Sequence, residues 1–391
     1  MREMCSLPDP LIAGDGTSVE SIHAWRQARR PEILDLFATQ VYGHTPDHQA
    51  QLTFTVTDED HSALDGNAIR KQVTIKVAVD QQTLEIDLLI YLPHAALTSP
   101  APIFTFLNFG GNHTIHADPT VKLPKSYINP DQLPAAVQRG AKASRFIVEQ
   151  IVARGYGLAT IYHADVDPDF DDGFQNGLHP LLDGPLTRTR DAWGSIGAWA
   201  WALSRAMDYF ETDDQIDQTR VAVGGHSRLG KTALWAGAQD QRFAVVISNN
   251  SGCTGAAISR GKQGETIEAI NREFPHWFCH NYRAYNRKED ELPVDQHMLL
   301  GLIAPRPLYV CSSTEDEWAD PVAEFNSCVQ ASPVYQLFGQ VGIPSYEMPT
   351  PDEPLLTGNI GYHLRTGKHD LTAYDWRCFM DFADRQFKAK A

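Results

Sequence analysis

No stretch of about eighteen consecutive apolar residues occurs in the 391-residue chain, which excludes a membrane-spanning helix of ordinary length. Residues Met1–Pro10 (MREMCSLPDP) lack the apolar centre of a secretory leader. Cysteine is scarce. Cys5, Cys253, Cys279, Cys311, Cys328 and Cys378 are scattered with no C-x-x-C pair, so no metal site is expected, and one disulfide stays open. Positive charge is in deficit, with 33 Lys and Arg against 49 Asp and Glu and a formal net charge of −16. That balance argues against nucleic acid and anionic membranes as partners. Repeats, low-complexity linkers and charge blocks are missing too, so residues 1–391 read as a single domain, long but within the range of an α/β fold.

What is present is the composition of a globular protein able to bury a large core, 42% hydrophobic and 21% charged. The pattern predicts an amphipathic helix over residues 18–40, with Ser18 as its cap and Ile22, Trp25, Ile33, Leu34 and Phe37 on its apolar side. Gln51–Thr57, Lys71–Val79 and Thr83–Leu92 alternate polar with apolar, as half-buried strands do, and Asp80-Gln81-Gln82 turns between the last two. Beyond them the strands change character. Pro102–Phe109, Leu158–Tyr162, Val221–Val223, Phe243–Ile247 and Pro307–Val310 are apolar throughout, which suits a parallel sheet covered on both faces. Helical stretches lie between and after them at Ser144–Arg154, Ala192–Phe210, Leu229–Gln239 and Trp376–Lys388. Antiparallel strands first and alternating strands and helices after is the layout of an α/β-hydrolase sheet. Two long segments, Thr114–Gly140 and His163–Thr187, have no periodicity. Segments of that kind are functional or mobile. The second holds Asp165, Asp167, Asp169, Asp171 and Asp172, but not the spacing or closing Glu of a calcium loop.

Val221–Trp235 (VAVGGHSRLGKTALW) reads as strand, tight turn and helix with Ser227 at the apex. A serine there is a candidate nucleophile facing the free N–H groups of a helix start. The plain alternative is a helix-capping serine. The usual elbow, G-x-S-x-G, is altered: Leu229 stands where the second glycine belongs and Gly230 follows. A serine hydroxyl needs a base, and the base an acid, in the chain order Ser, acid, His. An acid-rich turn, Ser312–Pro321 (SSTEDEWADP), follows one apolar strand, and Gly361–Asp370 (GYHLRTGKHD) reads as a later loop with two histidines. His369, after Gly367-Lys368 and ahead of the last helix, is the better base. His363, nearer apolar residues, reads as structural.

Gly225–Lys231 (GHSRLGK) resembles the G-x-S-R-x-G-K signature of glucuronoyl esterases. The likeness extends to Ser248–Ala257, Gly264-Glu265-Thr266, Phe274–Phe278, Asp290–Gln296, Glu315–Pro321 and Gly367–Asp370, spanning roughly residues 100–390 in the manner of the bacterial branch. The resemblance implies an α/β-hydrolase that cuts esters of 4-O-methyl-glucuronic acid on xylan, releasing a lignin-type alcohol. It implies Ser227 as nucleophile, His369 as base and Arg228 as an oxyanion-hole arginine. Lys231 and Glu265 are then expected on the sugar hydroxyls and Trp318 stacked on the ring. Lys231, four residues after Ser227, shares its helical face, and two cations at a helix N-terminus run against the macrodipole. Solvated charges and a core tryptophan are the plain alternatives for these residues. Fungal members carry a Glu where this chain has Asn249-Asn250, and an amide cannot hold the charge. The acid is therefore expected in the later loop, as in many bacterial members. Asp316 is preferred for its place ahead of Pro321 and two residues before Trp318, with Glu315 and Glu317 still open and Asp320 read as a cap. The loop Phe109–His113 is expected on the oxyanion side, its glycines admitting close backbone approach.

The mechanism implied is a two-step acyl transfer that calls for no cofactor and no metal. An acetyl xylan esterase or general carboxylesterase is the near alternative, and a carbohydrate-binding protein with a dead site the distant one. The expected partner is a small or polymeric glucuronate ester, and the chain is expected to act as a monomer. The family's substrate lies outside the cell, so export is expected with the leader absent from this chain, and a cytoplasmic protein stays open.

Overall fold

The fold is that of a computed structural model describing residues 6–47, 50–126, 138–184 and 188–388. Cys5, the start of the stretch read for a leader, the middle of Thr114–Gly140 and the end of His163–Thr187 lie outside the described residues.

Among the described residues, nine strands form one sheet: β1 Gln51–Ser62, β2 Ala68–Val79, β3 Gln82–Pro93, β4 Ala101–Asn108, β5 Gly157–Tyr162, β6 Ile216–His226, β7 Val245–Asn249, β8 Leu308–Ser313 and β9 Ile360–Arg365. Their order across the sheet is β1-β2-β3-β5-β4-β6-β7-β8-β9. Contacts from β1 to β5 by way of β3 are antiparallel, and every pair from β5 through β4 to β9 is parallel. This is the α/β-hydrolase arrangement the two kinds of strand pattern predict.

The apolar strands serve two cores at once. Ile103 and Leu107 of β4, Val221 and Val223 of β6, and Leu308 and Val310 of β8 join one cluster. Their neighbours Phe104, Phe106, Ala222, Tyr309 and Cys311 join the other. The first cluster is covered by an N-terminal helix α1 (residues 22–42), by α3 (Ser195–Phe210), α4 (Arg228–Gln239) and α5 (Pro321–Leu337), the second by α2 (Val148–Ala153) and α6 (Ala373–Lys388). Helix α1 is continuous but irregular. Ile22–Ala24 and Arg30–Phe37 are α-helical, while Trp25–Arg29 and Ala38–Tyr42 form wider π turns.

Several boundaries depart from the sequence pattern. Strand β1 runs to Ser62 because an irregularity between Val56 and Asp58 breaks its alternation, and its charged end is held by β2 through Arg70 and Asp58 at 2.6 Å. Helix α2 starts later than Ser144, since the Arg145 carbonyl accepts from Trp376 Nε1 at 2.7 Å. Helix α5 shows no amphipathic pattern in the sequence, since Glu324, Ser327 and Ser332 are buried, Val322 is exposed and Pro333 lies inside it. Of Gly361–Asp370, expected to be loop, residues 361–365 belong to strand β9. His363 and Arg365 broke the apolar run that would have marked it, and both are buried.

Trp376 anchors the second core, fully buried with its ring centre 4.8 Å from Phe106 and 5.6 Å from Phe104. Trp376→Ala removes that ring and the partner of the Arg145 carbonyl, and is expected to cost about 3–5 kcal/mol. Denaturant unfolding of both proteins measures it, and a loss below about 1 kcal/mol would show that the core refills the space.

Candidate active site

Strand β6 hands over to α4 within a single residue. Ser227 lies at φ 58°, ψ −130°, a region that non-glycine residues seldom occupy. Its side chain makes no capping bond to the helix, so it does not behave as a helix-capping serine. The turn closes only because Gly225 has no side chain: a Cβ there would lie 2.0 Å from the Leu229 carbonyl oxygen. The Ser227 N–H donates to the Asn249 carbonyl at 2.8 Å, tying the apex to the end of β7.

Asp316 and His369 meet across two loops, with His369 Nδ1 2.6 Å from Asp316 Oδ2. Of the three acids left open, Asp316 alone turns inward and is buried; Glu315 and Glu317 face solvent. Burial pushes the Asp316 carboxyl up. The hydrogen bond and charge of His369, with the amide of Asn250 at 2.9 Å, outweigh it and hold the carboxyl below the usual range. His369 itself is 41% exposed, open to a ligand. Its ring centre is 4.6 Å from that of His226, the residue before Ser227. His226 is buried against Asn249 Oδ1 at 2.5 Å, and burial, followed by the nearness of His369 and Arg145, pushes its pKa down to about 3. It therefore stays neutral and adds no charge beside the serine.

Arg228 is held in place by its surroundings. Its guanidinium pairs with Asp169 and lies over the ring of Trp277, 4.7 Å from the centre. Asp169 also accepts from Trp277 Nε1 at 2.7 Å and meets His276 Nε2 at 3.0 Å. Burial would raise the Asp169 carboxyl, but the His276 hydrogen bond and the Arg228 charge hold it well below the usual carboxylate range. Lys231 is 4% exposed, donates to the Ser251 carbonyl, and has its Nζ 3.9 Å from Glu265 Oε2. Burial lowers its pKa. Glu265 is also buried, and its N–H donates to the Trp318 carbonyl at 3.0 Å. Gly264 permits that contact, with φ 73° and a hypothetical Cβ only 2.5 Å from the Trp318 oxygen.

Trp318 is 53% exposed, so it is not a core tryptophan. It stands at a cavity of about 580 Å³ shared with Gln263, Met348 and Leu364. Asp320 caps α5 through Ala323 N, and His363 is buried between Asp375 and Tyr309, each at 2.9 Å. In the loop after β4, Phe109 packs edge-on against His226, while the Gly111 N–H is taken by Asn108 Oδ1 at 2.8 Å. Gly111 thus serves the turn.

Four contributors escaped the sequence reading. Asp169 lay in the acid-rich segment without distinction from its neighbours. Asn250 reads in the sequence as an amide that cannot hold the charge, and nothing there marks it as a donor to Asp316. Arg365 and Asp375 acquire meaning only through contacts on other elements. Cys311, His363 and Asp375 place potential ligand atoms within 4.8 Å of one another, but Asn249 already donates to Cys311 and His363 to Asp375. The five described cysteines are free and buried. No described helix is long and apolar enough to cross a membrane.

Comparison with known proteins places these features in context. Residues 109–339 match the family described as glucuronyl esterase, fungi. Carbohydrate esterase MZ0003, from an unknown prokaryotic organism, is 48% identical over 99% of this chain and 90% of its own length. A 4-O-methyl-glucuronoyl methylesterase of Phanerochaete carnosa is 27% identical over 90% of this chain and 79% of its own. Among solved structures, a promiscuous CE15 esterase from a marine bacterial metagenome has a TM-score of 0.91 at 47% identity, covering 98% of this chain and 97% of its own. The glucuronoyl esterase from Solibacter usitatus has 0.92 at 45%, covering 98% of each.

The Asp169 cluster generates a pH test. A carboxyl whose folded pKa is depressed contributes stability fully above its ordinary value near 3.8, and that contribution fades as pH falls through the folded value. Asp169→Asn should cost about 1–3 kcal/mol at neutral pH by removing the carboxylate that pairs with Arg228. The gap to wild type should narrow below pH 4. Denaturant unfolding between pH 7 and 2 checks this, and a gap constant with pH would contradict it.

Proposed function

Because the chain belongs to the glucuronoyl esterase family of α/β-hydrolases, and so to the carboxylic ester hydrolases, we propose that it hydrolyses the ester linking 4-O-methyl-glucuronic acid of glucuronoxylan to lignin alcohols. The observation that carries this reading is the 2.6 Å His369–Asp316 pair, provided by the loops after β8 and β9 of the sheet that holds Ser227 at its strained apex. In the reaction proposed, Asp316 occupies His369 Nδ1 and leaves Nε2 as the basic nitrogen. His369 takes the Ser227 proton as Oγ attacks the C6 carbonyl. The alcohol leaves with that proton, and a water activated by the same imidazole releases the glucuronate.

Arg228 is assigned to the oxyanion. Its Nε–H is buried and has no acceptor among the described residues, while Asp169 fixes the other end of the guanidinium. A donor preorganised in this way contributes roughly 2.7–4 kcal/mol to transition-state binding. Lys231 and Glu265, paired and buried, are assigned to the sugar hydroxyls, and the exposed face of Trp318 to the ring. A broader ester range is the second reading. It rests on the solved relative described as a promiscuous esterase. We further propose a single-domain monomer, exported to a polysaccharide too large to enter a cell, with no nucleic acid or membrane partner.

Hydrolysis of benzyl glucuronate beside p-nitrophenyl acetate tests these assignments. Ser227→Ala should abolish both activities. Asp316→Asn should lower kcat by about 10⁴, while Glu315→Gln and Glu317→Gln stay near wild type; a large loss in either would move the acid. Lys231→Met should raise KM for the glucuronate and leave the acetate reaction little changed. Equal losses on both substrates would remove Lys231 from sugar recognition.

A further inference from the structure

Beneath the three proposed catalytic residues lies a buried ionic layer that the mechanism does not use. Asp375, in the first turn of α6, is 0% exposed. Its carboxylate accepts from the Thr372 N–H and hydroxyl, both at 2.7 Å, from His363 Nε2 at 2.9 Å, from Arg365 Nε at 3.1 Å and from Asn249 Nδ2 at 3.3 Å. Arg365, on β9, is 7% exposed. Its Nη2 donates to the carbonyl oxygens of Lys368 at 2.8 Å and Asp370 at 3.1 Å, the two residues that flank His369. The same nitrogen donates to Ser313 Oγ at 2.7 Å. Ser313 Oγ in turn accepts from Asn250 Nδ2 at 2.8 Å, the nitrogen that donates to Asp316.

We propose that Arg365, fixed by Asp375, is a positioning clamp that sets the base and the acid against each other. The inference rests on the assignment of His369 and Asp316 above. One guanidinium grips the base loop on both sides of the imidazole and reaches the acid through a serine and an amide. The loop needs such a grip, since 366–370 has no regular structure and Gly367 sits at φ 117°. A third branch runs from Asp375 through Asn249, whose side-chain oxygen meets His226 and whose carbonyl holds the Ser227 N–H. Nucleophile, base and acid thereby share one buried anchor. Lysine keeps the charge at position 365 but is a point charge without the planar fork, so it cannot meet Asp375, Ser313 and two carbonyls together. Loss of the grip acts on geometry, and displacement of a catalytic group by about 1 Å is worth on the order of 10²-fold in rate.

The test is a double-mutant cycle in the full chain. Arg365→Lys, Asp316→Asn and the pair are assayed for kcat and KM on benzyl glucuronate, with the folded fraction of each followed by circular dichroism. Arg365→Lys should lower kcat roughly 10–100-fold with KM within about twofold. In the Asp316→Asn background the same change should cost under about threefold, because residues acting as a unit do not add. Equal factors in both backgrounds, or a kcat loss that only follows the folded fraction, would overturn the clamp. If Arg365→Lys does not fold, Ser313→Ala carries the cycle, since it removes only the hydroxyl between clamp and acid. An unchanged kcat there overturns the proposal. The two readings fail differently: full activity in Asp316→Asn sinks the assignment of the acid and the clamp with it. A crippled Asp316→Asn beside an unimpaired Arg365→Lys sinks the clamp alone.

Discussion

A strand can pass its chain into a helix within one residue only if that residue accepts a left-handed φ, and this molecule assigns that conformation to Ser227. Everything around the apex follows from the cost. Gly225 must be bare so that the Leu229 carbonyl can come close. The Ser227 N–H must find a partner outside its own helix, and it finds the Asn249 carbonyl. Strain of this kind costs of order 1–3 kcal/mol and persists only where surrounding packing over-determines it. The two-sided cores on β4, β6 and β8 supply that packing.

The charges near the apex obey a common rule. Each cation there arrives with a carboxylate: Arg228, itself half-buried, with Asp169, buried Lys231 with Glu265, and buried Arg365 with Asp375. A lone buried charge would be too costly, whereas a paired one adds direction with little net field. The carboxylates are also what make the guanidinium groups rigid. His226, neutral and buried, completes the pattern by standing beside His369 without repelling its charged form.

Much of this was legible in the sequence, and the reasons are specific. The short apolar runs of β4 to β8, alternating with helical stretches, suit strands buried on both faces, so the parallel sheet and its place after an antiparallel start were readable. The elbow was readable because glycines, serine and a helix-forming run stand together. Asp316 was preferred over Glu315 and Glu317 by its place in the acid loop, and burial separates the three in the fold. The remainder was hidden for equally physical reasons. His363 and Arg365 are polar residues inside a strand, made tolerable by partners on other elements, and no local pattern announces such partners. Asp169 was one of five similar acids in an irregular segment, distinguishable only by what lies opposite. Helix α5 buries Glu324, Ser327 and Ser332 and exposes Val322, so no amphipathic period announces it.

The exposure of Trp318 has an optical consequence. Of the eight tryptophans, Trp25, Trp193, Trp199, Trp235, Trp277 and Trp376 are buried and Trp201 is half-buried beneath Arg205. Trp318 alone among them is mostly in water. Its emission therefore forms the long-wavelength edge of the protein's fluorescence, while the buried indoles emit toward the blue. Water-borne quenchers reach it first, and anything that covers the indole shields it from them. The molecule thus carries a built-in optical reporter at the cavity that Trp318 lines.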